Sequence, residues 1–204
     1  MTTSLHDDLT GITFRETMAG GFALGTDNPA TGAQSGTPLA MHAVVHIQDI
    51  DAFVADPQHR AGLTGTIDFA PMGQALVADR GVFGLFSPSG DPALTYMVYE
   101  LAFSHQGRPR YLAGKKHVQL GSPLRLWDET TTLYTTLHDG SDATGPVLGA
   151  GILTLGVVDL AKLLGTLEAT DSDSPWESLT AKAKFMRFFG GELVRTYIER
   201  QPGR

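Results

Sequence analysis

Hydrophobic and polar residues alternate along most of the chain up to Leu155, and turn-forming residues interrupt this alternation at intervals. Such alternation predicts strands that bury one face and expose the other. Because no long helical patterns separate the segments, the pattern favours a mainly β fold, either an antiparallel lipocalin-like barrel or a strongly curved sandwich. The alternating segments are Ile12–Leu24, Leu39–Gln48, Leu63–Phe69, Gln74–Phe86, Ala93–Ser104, Arg110–Leu120, Glu129–His138 and Val147–Leu155.

Two connections between these segments have patterns of their own. The stretch Gly25–Pro38 is rich in Gly, Pro, Asn and Ser, which predicts a long loop. Asp49–Val54 predicts a short helical turn, and the Asp56-Pro57 step ends it because a residue before proline avoids helical geometry.

Beyond residue 158 the period changes to that of a helix. Ser174 precedes Pro175, and Glu177 follows three residues after the serine, which is the pattern of a capped helix start. We therefore expect a barrel over residues 1–158 and C-terminal helices over 159–204, the first at Asp159–Thr170 and the second ending near Arg200. The second helix packs on the barrel, over one end or on the outer wall, or mediates a homodimer. Its predicted apolar side comprises Leu179, Ala183, Met186, Phe189, Leu193 and Tyr197.

The strand register of one hairpin can be determined by counting residues outward from its turn. A two-residue Gln106-Gly107 turn between the fifth and sixth segments places Tyr99 opposite Gly114 and Met97 opposite Lys116. That face is the more apolar of the two and should point inward, yet it carries a lysine. Three explanations of Lys116 stay open: the amine reaches out of the barrel end, it pairs with a buried carboxylate, or it is a functional charge in a cavity.

Composition and charge exclude several classes of protein. The 204 residues include no Cys and carry a formal net charge of −7. This balance argues against nucleic-acid binding, and the absence of Cys excludes disulfides, thiolate metal sites and cysteine nucleophiles. The apolar runs are too short to span a membrane, and the N-terminus lacks signal-peptide features, which predicts a cytoplasmic protein.

Motifs for cofactors and metals are missing from the sequence. His42 and His46 lie about 13 Å apart on an extended strand, too far to ligate one ion. The glycine-rich segments lack the strand–GxGxxG–helix context of a dinucleotide site. We therefore expect no metal and no cofactor.

Seven motifs give the chain a resemblance to an auxiliary β-rich domain of bacterial multidomain proteins that also contain GMC-type oxidoreductase or lipase-like modules. Over residues 12–170 they are Phe14-x-Glu16-x-Met18-x-Gly20, Gly65-x-Ile67-x-Phe69-x-Pro71-x-Gly73, Gly81-x-Phe83-x-Leu85-Phe86, Met97-x-Tyr99-x-Leu101-x-Phe103, Tyr111-Leu-x-Gly114-x-Lys116-x-Val118, Leu126-Trp-Asp128-x-Thr-Thr-Thr-Leu-Tyr134 and Gly145-Pro-Val-x-Gly-Ala-Gly151. The chain lacks both catalytic modules, so neither activity transfers. In architecture alone, it is similar to lipocalin-like polyketide cyclases.

The candidate site is a small set of polar residues on apolar strand faces. Glu16 either pairs with a cation across the sheet or joins Lys116 and Tyr99 in a cavity, and these three are the candidate catalytic residues. Asp128 either caps a turn or serves as a cavity acid, and the threonine-rich stripe from Thr130 to His138 is better explained by solvent exposure. The candidate substrate-binding residues are Met18, Met97, Trp127, Asp128 and Tyr134.

These residues favour a cofactor-independent cyclase or isomerase, including an intramolecular cycloaddition, for a hydrophobic polyketide-like metabolite. Shape and one or two hydrogen-bond donors suffice for such a reaction. The alternatives are a non-catalytic lipid- or sterol-binding accessory protein to an oxidoreductase, or a structural partner domain that assembles through its C-terminal helix.

Overall fold

Strands dominate the parts of the chain that the computed structural model describes, which are residues 10–34, 37–119, 126–156, 165–172 and 174–195, without the side chains of residues 126 and 127. The strands are β1 (Gly11–Leu24), β2 (Pro38–Ile47), β3 (Arg60–Phe69), β4 (Gly73–Ala78), β5 (Arg80–Pro88), β6 (Leu94–His105), β7 (Arg108–Gln119), β8 (Thr132–Asp139), β9 (Val147–Thr154) and β10 (Glu168–Thr170). The helices are α1 (Pro29–Ala33), α2 (Ile50–Ala55), α3 (Leu126–Thr131) and α4 (Pro175–Val194).

Eight of the strands close into an antiparallel barrel in the order β1-β2-β3-β5-β6-β7-β8-β9, with β9 returning to β1. Strand β4 pairs with β3 beside this ring, and β10 pairs with the start of β1. Full closure leaves the ring without an unpaired edge. The mainly β prediction, the antiparallel barrel and the C-terminal helix are confirmed.

The predicted hairpin register between β6 and β7 is also confirmed. Tyr99 lies opposite Gly114 and Met97 opposite Lys116. The turn residues Gln106 and Gly107 have φ values of 52° and 74°, so both adopt the left-handed conformation that a two-residue hairpin turn requires. Turn chemistry and the apolar face thus specify the same register.

Several predicted boundaries are wrong. The segment Gln74–Phe86 is interrupted at Asp79 and forms β4 and β5, while the loop Gly25–Pro38 contains α1, capped by the side chain of Asn28. The segment predicted as a strand from Glu129 begins as α3, whose first turn carries Asp128 and Glu129, an arrangement that stabilises the positive end of a helix.

The predicted helix at Asp159–Thr170 is wrong for its last residues. Glu168–Thr170 forms β10, which pairs antiparallel with Gly11–Thr13. This close approach uses Gly11, since a Cβ atom there would lie 2.4 Å from the Thr170 hydroxyl oxygen. Within that prediction, residues 159–164 lie outside the described residues, as do the helix end near Arg200 and Tyr197.

Helix α4 begins where its sequence predicts and covers one end of the barrel. The Ser174 and Glu177 side chains form a capping box, and Phe185 packs on Phe14 of β1 with ring centroids 5.6 Å apart. Further along the helix, Phe189 packs on Phe86 near the end of β5, with ring centroids 5.9 Å apart. These contacts place α4 over the end where β1 begins and β5 ends.

The predicted apolar side of α4 is partly wrong. Leu179 and Ala183 are exposed and Met186 is 42% exposed, whereas the buried positions are Ala181 and Phe185, with Phe188, Phe189 and Leu193 partly buried. The helix is rotated because its phenylalanines, which bury the most apolar area, face the barrel. Homodimerisation through the exposed side stays a prediction.

We predict that Phe185→Ala lowers the free energy of unfolding by about 3 kcal/mol, the usual cost of deleting a buried ring. Leu179→Ala is the matched control on the exposed side of the same helix and should change stability by less than about 0.5 kcal/mol. Urea unfolding monitored by circular dichroism measures both. Equal losses for the two variants would show that α4 docks with a different face.

Candidate functional site

Three polar side chains are buried together inside the barrel. Glu16 of β1 is 3% exposed, Tyr99 of β6 is 3% exposed and Lys116 of β7 is 2% exposed. Each follows the inward parity of its strand, as the apolar neighbours Phe14, Met18 and Met97 do. The three polar side chains therefore belong to the barrel interior.

The three side chains form one hydrogen-bonded unit, here called the Glu16 network. Lys116 Nζ donates to Glu16 Oε1 at 2.8 Å, and the Tyr99 hydroxyl donates to Glu16 Oε2 at 2.7 Å. Lys116 Nζ also lies 4.8 Å from the centroid of the Tyr99 ring. Both carboxylate oxygens are thus occupied, and the ammonium group has a counterion and an aromatic neighbour.

The network crosses the lumen of the barrel. Three strands separate β1 from β6 in either direction around the ring, so these two strands face each other across the interior. The hydrogen bond between Glu16 and Tyr99 therefore joins opposite walls. Lys116 on β7, the neighbour of β6, completes the crossing.

Burial sets the electrostatics of the network. It raises the pKa of Tyr99 well above 10.0, and the nearby Glu16 carboxylate raises it further because a second anion there would be repelled. Tyr99 therefore remains a hydrogen-bond donor across the ordinary pH range. Within the described part of the chain, every buried side-chain nitrogen and oxygen has a hydrogen-bond partner.

A cavity of about 170 Å³ lies between the network and α4. Glu16, Tyr99 and Lys116 form its floor, and α4 covers it. The residues around the network are mostly apolar and lie toward the α4 end of their strands. They are Phe14, Phe83, Leu85, Met97, Thr130, Thr131, Leu155, Phe185, Met186, Phe189 and Leu193.

The predicted site residues have different outcomes. Glu16, Tyr99 and Lys116 come together, and Met97 lines the cavity, whereas Met18 is buried in the core below the network. An amine that reaches out of the barrel end is excluded, because Lys116 is buried and paired with Glu16.

The expectation that Asp128 and Tyr134 line the cavity is wrong. Asp128 is exposed on α3, and Tyr134 points to the outer surface of β8, where it stacks on His117. The inward residues of β8 are its alternate ones, Leu133 and Thr135. The side chain of Trp127 lies outside the described part of the structure.

Several lining residues were missed by the sequence reasoning. Phe14 shares the inward parity of Glu16, which was a usable signal. The spacing of Phe185 and Phe189, one helical turn apart, also indicates an apolar face. Thr131 had no comparable signal, because the helix α3 that buries it was predicted as a strand.

Polar pairs on the outer wall are separate from this cavity. His42 Nε2 lies 3.1 Å from Asp68 Oδ2, and His42 Nδ1 lies 3.1 Å from the Thr17 hydroxyl oxygen. His46 instead contacts Thr64. Among the residues that the structure describes, no group of three or more His, Asp or Glu side chains is arranged to hold a metal ion.

Comparison with known proteins identifies no relatives. No protein-family model matches the chain, and neither the curated proteins nor the solved structures include a significant match. The resemblance to the auxiliary domain of GMC-type and lipase-like proteins therefore stays a prediction. Among the described helices, none is both long and apolar enough to cross a membrane.

A double-mutant cycle tests whether Glu16 and Lys116 are coupled. We predict that Glu16→Gln and Lys116→Met each lower the free energy of unfolding by about 3–5 kcal/mol, because each leaves a buried charge without its partner. The double variant removes both charges and should lose clearly less than the two single losses together. Lys115→Met, at the exposed neighbouring position, should cost no more than about 1 kcal/mol, the scale of its exposed cation–π contact with Tyr96.

Denaturant unfolding of the four variants gives these values. Strictly additive losses for Glu16→Gln and Lys116→Met would contradict a direct ion pair inside the barrel.

Alkaline titration tests the position of Tyr99. Its folded-state pKa lies above the unfolded value of 10.0, so its contribution to stability is complete below pH 10.0 and declines as the pH rises beyond it. Tyr111, hydrogen-bonded to Glu100, also has a raised pKa because of burial and that carboxylate. We predict that Tyr99→Phe removes the absorbance of one phenolate from the step that appears only on alkaline unfolding, because the buried Tyr99 does not ionise in the folded protein.

Near-ultraviolet absorbance follows the titration, and Tyr111→Phe provides the matched comparison. If Tyr99→Phe instead lost absorbance from the reversible step before unfolding and left the unfolding step unchanged, Tyr99 would be open to solvent.

Proposed function

We propose that this barrel is a cofactor-independent isomerase or cyclase for a small, largely apolar carbonyl compound, which it binds between the Glu16 network and α4. The observation that carries the proposal is a buried cation, carboxylate and phenol on the floor of a cavity whose other walls are mostly apolar. Ligand sites typically combine apolar walls with a few convergent polar groups in this way.

The size of the cavity limits the ligand. An engineered protein cavity of about 150 Å³ binds benzene, so about 170 Å³ accommodates an aromatic or alicyclic ring with a small substituent. Phe14, Phe83 and Phe189 supply an aromatic surface for such a ring. A ligand oxygen would lie toward the floor, the polar part of the cavity.

Lys116 is suited to bind and polarise a carbonyl oxygen. Its ammonium group has three N–H donors, and Glu16 accepts one of them. A hydrogen bond from a cation stabilises negative charge that develops on the oxygen, and it is strengthened where water is excluded. This arrangement favours enolate-like transition states.

Glu16 supplies the base in the proposed reaction. A proton moves from the carbon next to the carbonyl group to a Glu16 oxygen, and the C–H electron pair becomes the C=C bond of an enolate whose oxygen Lys116 stabilises. Return of the proton at another carbon gives an isomer. Attack of the enolate carbon on a second electrophilic carbon, followed by proton return, gives a ring, so neither outcome adds or removes atoms.

The non-catalytic alternative is a carrier of lipids or sterols that accompanies an oxidoreductase. Its support is the apolar lining, which binds cargo without any reaction. The cavity is, however, smaller than the roughly 300–1,000 Å³ typical of sites for drug-sized ligands. A sterol or a long polyketide-like chain would therefore require α4 to move away from the barrel end.

Paired probe ligands test binding and the role of the carbonyl group. Acetophenone and α-methylstyrene have the same shape, with an oxygen in one where the other has a methylene group. We predict that the wild type binds acetophenone about tenfold more tightly, the effect of one charge-assisted hydrogen bond. Lys116→Met should abolish this preference, and Lys115→Met should retain it, as measured by NMR titration.

Turnover is measured on the same samples in heavy water. The wild type and Lys115→Met should accelerate exchange of the acetophenone methyl protons for deuterium above the buffer rate, and Lys116→Met should lose this acceleration. Binding without exchange would contradict the enzyme proposal and favour the carrier. No preference for the ketone in the wild type would contradict the assigned role of Lys116.

A further inference from the structure

We propose that Lys116 holds aldehyde and ketone ligands covalently, as an imine, with Glu16 accepting and returning protons. This inference rests on the proposed function, because it assigns the carbonyl compound a covalent place in the same cavity. It concerns the amine as a nucleophile and goes beyond its hydrogen bond to the ligand.

The position of Lys116 suits a nucleophilic amine. Attack requires the nitrogen to lose a proton, and Glu16 Oε1 lies 2.8 Å from Nζ, within direct transfer distance. Transfer converts two buried charges into two neutral groups, which costs less in an apolar interior than in water. Tyr99 acts as a positioning residue, since its bond to Oε2 leaves Oε1 directed at the lysine.

The reaction balances without an oxidant or a reductant. The nitrogen lone pair forms a bond to the carbonyl carbon while the C=O π pair moves to the oxygen, which takes up a proton from the lysine nitrogen or from Glu16. A second proton on that oxygen allows it to leave as water as the nitrogen forms the C=N bond. An ammonium group and a carbonyl group thus give one protonated imine and one water molecule, and Glu16 ends as the carboxylate counterion.

The surroundings favour an imine once it has formed. Imines hydrolyse readily in water, and the apolar walls of the cavity limit the access of water to the new bond. The protonated imine keeps the positive charge of the lysine, so the ion pair with Glu16 is retained. The cavity thus protects the bond without losing its charge balance.

Lys115 provides an internal control. It precedes Lys116 on β7 but points to the outer surface, where it lies 5.2 Å from the centroid of the Tyr96 ring. The two lysines share a strand and differ in which side of the barrel wall they occupy. Any reagent present in solution therefore reaches Lys115 without entering the cavity.

Reductive trapping tests the inference on the intact chain. Benzaldehyde, whose ring matches the size of the cavity, is added with sodium cyanoborohydride, which converts an imine to a stable benzylamine. Peptide mapping by mass spectrometry is expected to find modification at Lys116 at least about tenfold faster than at Lys115, because the cavity holds the aldehyde beside the amine. Acetophenone in excess should slow trapping at Lys116 and leave Lys115 unchanged.

Two variants distinguish the role of Lys116 as the nucleophile from the role of Glu16 as the base. Lys116→Met should lose the fast modification, and Glu16→Gln should slow it severalfold while leaving the rate at Lys115 unchanged. The peptide map of the wild type decides the inference even if either variant folds poorly, since the comparison with Lys115 lies within one chain.

Trapping at Lys116 no faster than at Lys115 would overturn the covalent inference. If acetophenone still binds with its preference intact and exchanges deuterium, the proposed function stands alone. If acetophenone neither binds nor exchanges and Lys116 is not trapped, both proposals are wrong.

Discussion

The interior of this barrel is organised around one carboxylate. Glu16 receives hydrogen bonds from Lys116 and Tyr99, and through them β1 is tied to strands on the far side of the ring. Burying either charge alone would cost free energy because the charge loses its contact with water. The attraction between Glu16 and Lys116 and the hydrogen bond from Tyr99 offset that cost. Replacing a buried ion pair by well-packed apolar residues is often neutral or stabilising in proteins, so the network by itself is weak evidence for a role in stability.

Helix α4 is the second feature on which the cavity depends. On the other side of the network from α4, the lumen is filled by apolar side chains such as Phe22, Phe69 and Leu101. On the α4 side, the strands and the helix leave the cavity between them. The phenylalanines of α4 therefore close a space that the barrel by itself would leave open to solvent.

Much of this arrangement follows from the sequence, because local rules act within hairpins. Alternation located the strands, and the Gln106-Gly107 turn specified the register that puts Lys116 inside. The contact between Glu16 and Lys116 was only one of two alternatives, since 100 residues separate the partners and nothing local determines which strands face each other across a closed ring. Closure of the barrel determines which strands face each other and therefore brings Glu16 and Lys116 together.

Other features depended on tertiary contacts and were mispredicted. The orientation of α4 is determined by the shape of the barrel end that receives Phe185 and Phe189, and β10 forms because the start of β1 offers it a partner. Tyr134 lies on the outer face of β8, on the stripe that the sequence favoured as solvent-exposed, so its assignment to the cavity conflicted with the alternation of its own strand.

The most direct test of the central claim is a crystal structure of the protein with acetophenone bound. The account predicts the ring beneath α4 among Phe14, Phe83 and Phe189, with its oxygen within about 3 Å of Lys116 Nζ and Glu16 still joined to Tyr99. A ligand on the outer wall, or a barrel interior filled by side chains with Lys116 directed to solvent, would contradict it.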